Sequence, residues 1–104
     1  MLQKSDSRNV NIKIYVDGQI LNRDEAQVSV FDSVVQGGDA VWEGLRLYRG
    51  GIFCLDRHLN RLMDSAKAMA FVDVPNKSDI KKALTKTLQA NGMTDEVHIR
   101  LTLT

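Results

Sequence analysis

The stretch "VWEGLRLYRGGIFCLDRHLNRLMDSAKA", residues 41–68, decides the fold. Its first eight residues alternate. Val41, Glu43, Leu45 and Leu47 share one parity, and Trp42, Gly44, Arg46 and Tyr48 share the other. A period of two marks a strand. Arg49-Gly50-Gly51 then turns the chain, and IFCL returns it, which predicts a hairpin of 41–48 with 52–55. Next the period changes. Leu59, Leu62, Met63, Ala66 and Ala70 recur at three- and four-residue spacing and predict about four turns of helix. Asp56 is the expected N-terminal cap, because its carboxylate can accept from the free amides of the first turn. The run from Phe71 to Pro75 ends this helix.

Working outward, IKIYVDGQIL (12–21) reads as two short strands around Asp17-Gly18, a pair suited to the positive φ angles of a tight hairpin turn. Gly37-Gly38 marks a break. A second helix is expected from near Ser78, with Ile80, Leu84, Thr87 and Leu88 on one face and Asn91-Gly92 at its end. The last stretch, VHIRLTLT (97–104), alternates again. Val97, Ile99, Leu101 and Leu103 go one way, and His98, Arg100, Thr102 and Thr104 the other. This order predicts an α+β fold: a mainly antiparallel sheet with two helices packed on one face. The opposite face, bearing His98 and Arg100, then needs water or a second domain to cover it.

The totals bound the function. A chain of 104 residues suits one domain. A polar segment, 1–11, is expected before a domain spanning 12–104. Fourteen basic and thirteen acidic residues leave a net charge of +1, with no basic block beyond Lys81-Lys82, so charge does not suggest nucleic acid. The single cysteine, Cys54, excludes an intrachain disulfide and favours a reducing, cytoplasmic setting. No apolar run is long enough to span a membrane, and MLQKSDSRNV is too polar for a signal peptide. The chain stops in an alternating stretch with no turn or polar tail, which leads us to expect a piece of a longer protein.

Several residues beside the predicted core carry charge that could serve a site. Arg61 falls at the rim of the apolar helix face. Its stem can pack while its guanidinium meets an anion, or it can be a surface arginine paired with Asp64 or Asp56. Spacing alone favours the second reading. His58, near the same face, reads as a structural histidine rather than a base. Arg100 and His98 share one strand face and could line a carboxylate site, or lie on an exposed sheet. Arg46 with Trp42 and Tyr48 repeats that pattern on the hairpin, as a pocket wall or as cation–π packing. Two histidines and one cysteine are too few and ill spaced to bind a metal. "GGDA" lacks the lysine and hydroxyl of a P-loop, and no Ser–His–Asp order with a nucleophile elbow is present.

Taken together, "VDGQIL", "GDAVWEGLRLYRGGIFCLDRHLNRLMDSAKAM" and "VHIRLTLT" resemble the N-terminal domain of class IV aminotransferases, the fold-type IV pyridoxal-phosphate enzymes. The resemblance runs from about Ile12 to the end, and 38–67 is its specific part. The ordered set of Gly-Asp, an aromatic-Glu-Gly-aliphatic-Arg and His-x-x-Arg-Leu carries it. It implies that Arg61 binds the cofactor phosphate and that Trp42, Arg46, His98 and Arg100 belong to the substrate pocket. It implies amino-acid and 2-oxo-acid substrates and a homodimer whose partner completes the pocket. "EGLR" looks more like the branched-chain subfamily. Three positions depart from that subfamily. His98 stands where a tyrosine is usual, Gly37 where an aromatic is usual, and Trp42 is bulkier than the common Phe or Tyr. The family's Schiff-base lysine lies beyond this chain's end, and no lysine here, Lys4 included, matches it. The fragment alone is therefore expected to be inactive and to hold no catalytic residue. Two alternatives stay open: a lyase of the same family, and a non-catalytic α+β binding module.

Overall fold

A computed structural model describes residues 5–104. Met1–Lys4, which include Lys4 and the start of the polar segment 1–11, lie outside the described residues. The chain is α+β. Strands β1 (Lys13–Val16) and β2 (Gln19–Asn22) form one antiparallel hairpin. Asp17 and Gly18 both take positive φ, 48° and 88°, as a two-residue turn of that hand requires. A second sheet has the order β4-β3-β5, with β3 (Val41–Tyr48) between β4 (Gly51–Ile52) and β5 (Val97–Leu103), all antiparallel. The expected antiparallel pairing is therefore split into two sheets.

The helices occupy one side of the larger sheet. Helix α2 (Leu55–Ala68) packs on β3, and α3 (Lys77–Asn91) lies against β1. Their apolar stripes meet the odd-numbered row of β3. Val41, Leu45, Leu59, Leu62, Ala66, Ile80 and Leu84 form the buried core. Leu45, Leu59 and Leu62 are its largest fully buried side chains. Asn91 ties α3 to the hairpin: its side-chain oxygen accepts from the Lys13 amide at 2.7 Å and its amide donates to the Lys13 carbonyl at 2.9 Å.

Several expectations need correction. Helix α2 is not capped by Asp56. Cys54 holds the N-cap position in the left-handed region (φ 52°, ψ 37°) with no side-chain cap, because the chain turns out of β4 and directly into the helix. Asp56 lies inside the first turn, where its carboxylate accepts from Lys81 Nζ at 2.8 Å. The return strand is two residues rather than 52–55, although the Phe53 amide still bonds the Arg46 carbonyl at 2.9 Å. A short helix α1 (Ser33–Gly37) was not legible. Asp32 caps it and the left-handed Gly38 ends it, so Gly37-Gly38 closes a helix as well as breaking the chain. Ala70, read as part of the α2 stripe, lies past the end of the helix at φ 57°.

The segment before β1 is also anchored. Arg8 donates to the carbonyls of Asp95 (3.1 Å) and Glu96 (2.8 Å), in the turn before β5, and pairs with Asp6.

Candidate functional site

Strand β3 sends alternate side chains to opposite faces, and each face gathers charged groups. On the helix side, Glu43 interrupts an otherwise apolar row. It is 6% exposed, and its carboxylate needs partners to remain there. Helix α2 supplies two, three residues apart and so on one face. His58 Nδ1 approaches Glu43 Oε1 at 2.7 Å. Arg61 Nε donates to Oε1 and Oε2 at 3.1 and 3.0 Å, and Nη2 donates to Oε1 at 2.6 Å. The Arg61 guanidinium holds the Glu43 carboxyl below the usual carboxylate range, with a smaller contribution from His58 and against the effect of burial. Glu43 in turn raises the Arg61 pKa. Glu43 is therefore ionised at neutral pH and can only accept, so His58 Nδ1 must carry the proton.

Arg61 is thus paired, but with Glu43 rather than Asp64 or Asp56. Its side chain stays 68% exposed. Glu43 takes the Nε–Nη2 edge of the fork, and Nη1 makes no hydrogen bond among the described residues. Glu43 itself was missed as a functional candidate. The signal was present, because a glutamate in a row of Val41, Leu45 and Leu47 demands a cation.

The opposite face joins β3 to β5. Trp42 lies opposite Thr102, Gly44 opposite Arg100 and Arg46 opposite His98. The Arg100 guanidinium stacks over the Trp42 ring at 4.4 Å, and that of Arg46 lies over Tyr48 at 5.9 Å. Trp42 therefore partners Arg100 rather than Arg46. Gly44 lies in close approach to His98 and Trp42: a Cβ there would meet His98 Cε1 at 3.2 Å, so the imidazole would have to give by a few tenths of an ångström, and would touch Trp42 Cζ3 at 3.7 Å. Trp42, Arg46, His98 and Arg100 share this exposed face, and Arg61 is bound to the carboxylate on the other. No carboxylate pairs with Arg46 or Arg100 among the described residues. Stacking leaves the guanidinium edges free to grip a carboxylate.

Helix α1 sits at one end of this face. Asp32 Oδ1 caps the helix by accepting from Val34, and Oδ2 accepts from Thr104 Oγ1 at 2.9 Å, which ties the loop to the end of β5. Val28, Val30, Phe31 and Val35, around this helix, are exposed. A mostly apolar groove of about 310 Å³ runs along β5 between α3 and β1, lined by Tyr15, Ile80, Leu84, Leu88, Ile99 and Leu101 among others. No group of three metal-ligating side chains occurs among the described residues.

Comparisons with known proteins fit this geometry. The family model described as amino-transferase class IV matches residues 40–104, which hold both faces of β3. The chain is 58% identical over 96 residues to branched-chain-amino-acid aminotransferase-like protein 1 of Arabidopsis thaliana, covering 92% of this chain and 17% of that protein. It superposes on the branched-chain aminotransferase of Thermoproteus uzoniensis, solved with norvaline, at a TM-score of 0.75 and 33% identity, covering 88% of this chain and 32% of that one. It also superposes on a branched-chain amino acid aminotransferase of T.th. solved with pyridoxamine 5'-phosphate, at a TM-score of 0.78 and 27% identity over 88% of this chain and 32% of that one. The chain therefore spans a third or less of the length of these relatives.

Proposed function

Because the chain belongs to the class IV aminotransferase family, we propose that residues 12–104 are the N-terminal domain of a pyridoxal-phosphate aminotransferase. The full-length protein exchanges an amino group between an amino acid, of the branched-chain kind, and a 2-oxo acid. The observation that carries this reading is the Arg61 fork: one edge is fixed by a buried carboxylate, the other is exposed, and both lie within the matched segment. The donor set suits a phosphate, which needs outward N–H groups on a positioned cation. Arg61 would hold that phosphate. When bound, pyridoxal phosphate supplies the electron sink for amino-group exchange. The relative solved with pyridoxamine 5'-phosphate supports this choice of cofactor.

Trp42, Arg46, His98 and Arg100 form one wall of the substrate pocket, and the unpaired guanidiniums orient a carboxylate on it. The relative solved with norvaline supports an amino acid as the ligand. His98 gives this wall a donor and acceptor in the plane of an imidazole, where the branched-chain subfamily usually has a phenol. The exposed Val28, Val30, Phe31 and Val35 support a homodimer assembled through the region of α1. No described helix is long and apolar enough to cross a membrane. The single cysteine supports a reducing, cytoplasmic setting.

The test is direct. The full-length protein, supplied with pyridoxal phosphate, a branched-chain amino acid and a 2-oxo acid, is expected to convert both into their exchanged partners. The isolated 104 residues are expected to give no turnover. Product formation that needs no 2-oxo acid would point to a lyase instead. Turnover by the isolated chain would overturn the assignment of catalysis to other parts of the protein.

A further inference from the structure

Glu43 is costly where it stands. A carboxylate 6% exposed in an apolar row must be compensated, and a leucine would pack there without that penalty. What the carboxylate gains is control over one arginine. It engages both Nε and Nη2 of Arg61, the two atoms that define one edge of the guanidinium. Five N–H groups lie in the guanidinium plane. Two point to Glu43, and the two on Nη1 and the second on Nη2 point away. The 3.4 Å approach of Arg61 Nη2 to His58 Nδ1 is not a further bond, since both atoms are donors when Glu43 is ionised. We infer that Glu43 is a positioning residue for the phosphate contact: it clamps the side edge of Arg61 so that its Nη1 end faces the anion, and the His58 Nδ1 proton holds the carboxylate in that orientation. The inference rests on the reading of Arg61 as the phosphate arginine.

Two roles for Glu43 predict opposite signs. As a mere counter-ion it would neutralise Arg61 and weaken the grip on phosphate, so its removal would tighten binding. As a clamp it restricts a long side chain to one productive geometry, so its removal loosens binding. The experiment uses the full-length protein freed of cofactor. Dissociation constants are measured spectroscopically for pyridoxal phosphate and for pyridoxal, which lacks the phosphate, and their ratio isolates the phosphate contact. Arg61→Ala is expected to abolish most of the preference for the phosphorylated form. Glu43→Gln is expected to reduce the preference about tenfold, with the affinity for pyridoxal unchanged. Adding Glu43→Gln to Arg61→Ala is expected to change the ratio no further. Glu43→Asp keeps the charge but shortens the reach, and should lower the ratio as well, which covers the case of a poorly folded Gln variant. A fall in thermal midpoint with the ratio intact would leave Glu43 a stabilising residue only, and a rise in the ratio would make it a counter-ion. Either result overturns the inference while Arg61 keeps its role. If Arg61→Ala itself leaves the ratio intact, the phosphate reading falls and the clamp falls with it.

Discussion

Asn91→Ala is expected to loosen the β1–β2 hairpin from the rest of the domain. Asn91 makes three side-chain hydrogen bonds. Its oxygen accepts from the Lys13 amide at 2.7 Å, and its Nδ2 donates to the Lys13 carbonyl at 2.9 Å and to the Thr87 carbonyl at 2.8 Å. The Thr87 bond lies within α3, so its loss costs little. The other two join separate elements, and their loss leaves a half-buried amide and carbonyl of one residue unpaired. Each such bond contributes a net of about 0.5–1.5 kcal/mol, so the pair is worth about 1–3 kcal/mol. Alanine returns about 0.5 kcal/mol through its better helix propensity. The net loss is therefore about 0.5–2.5 kcal/mol, a sizeable share of the roughly 5–15 kcal/mol that holds a typical domain folded. Urea denaturation should show it as a lower midpoint with an unchanged slope. Hydrogen exchange should show it as faster exchange of the Lys13 amide. Asn91→Asp keeps the acceptor and loses the donor, so stability should fall while the Lys13 amide stays protected. A loss below about 0.5 kcal/mol, with unaltered exchange at Lys13, would refute the reasoning and leave packing alone to hold the hairpin.

Two further outcomes concern the helix end and the buried acid. Ala70 stands in the left-handed region at φ 57°, where the Ala70 and Phe71 amides bond the carbonyls of Lys67 and Ala66. Ala70→Gly should raise the urea midpoint by an amount equivalent to about 0.5–1 kcal/mol, because the strain it relieves exceeds the extra chain entropy; a lower midpoint would count against it. Glu43 titrates below the usual carboxylate range in the folded state, so its contribution is complete above its unfolded pKa of about 4.3 and is lost as pH falls through the folded value. Acid titration of unfolding should therefore be shallower below about pH 4 in Glu43→Gln than in the parent, and equal slopes would exclude the linkage.

How much was legible follows from which signals are local. The alternation of 41–48 and the apolar spacing of 59–66 fixed β3 and α2, because each pattern has one compatible backbone. Asp17-Gly18 and Gly92 were legible because a positive φ favours so few residues. Cys54 was not, since nothing in its side chain announces a left-handed N-cap, and the neighbouring Asp56 was the more conventional choice. Helix α1 escaped notice because five residues are too few to show a period. Among the candidate site residues, the shared face of Trp42, Arg46, His98 and Arg100 could be read from strand parity. The pairing of Trp42 with Arg100 could not, because it depends on the register of two strands far apart in sequence. The Glu43 partnership depends likewise on how α2 is laid across β3.

The two charged constellations share one strand, and the extent of its neighbours sets how they communicate. A slip of β3 by one residue would place Trp42 or Gly44 beneath Arg61, carry Arg46 to the helix side and bring Glu43 to the face of His98 and Arg100, reversing both constellations at once. The Glu43 contacts with His58 and Arg61 therefore favour this register. β5 covers one side of β3 along 41–47, but β4 pairs only with Leu47 and Tyr48, and the Phe53 amide reaches the Arg46 carbonyl. From Val41 to Leu45 the other edge of β3 has no strand partner among the described residues. This open edge lies beside Glu43 and hence beside Arg61. On the proposed reading, a ligand held by Arg61 and by the face of Trp42, His98 and Arg100 would pass around this edge. A return strand running the full length of β3 would pair this edge, whereas β4 ends at Ile52 and leaves it without a strand partner.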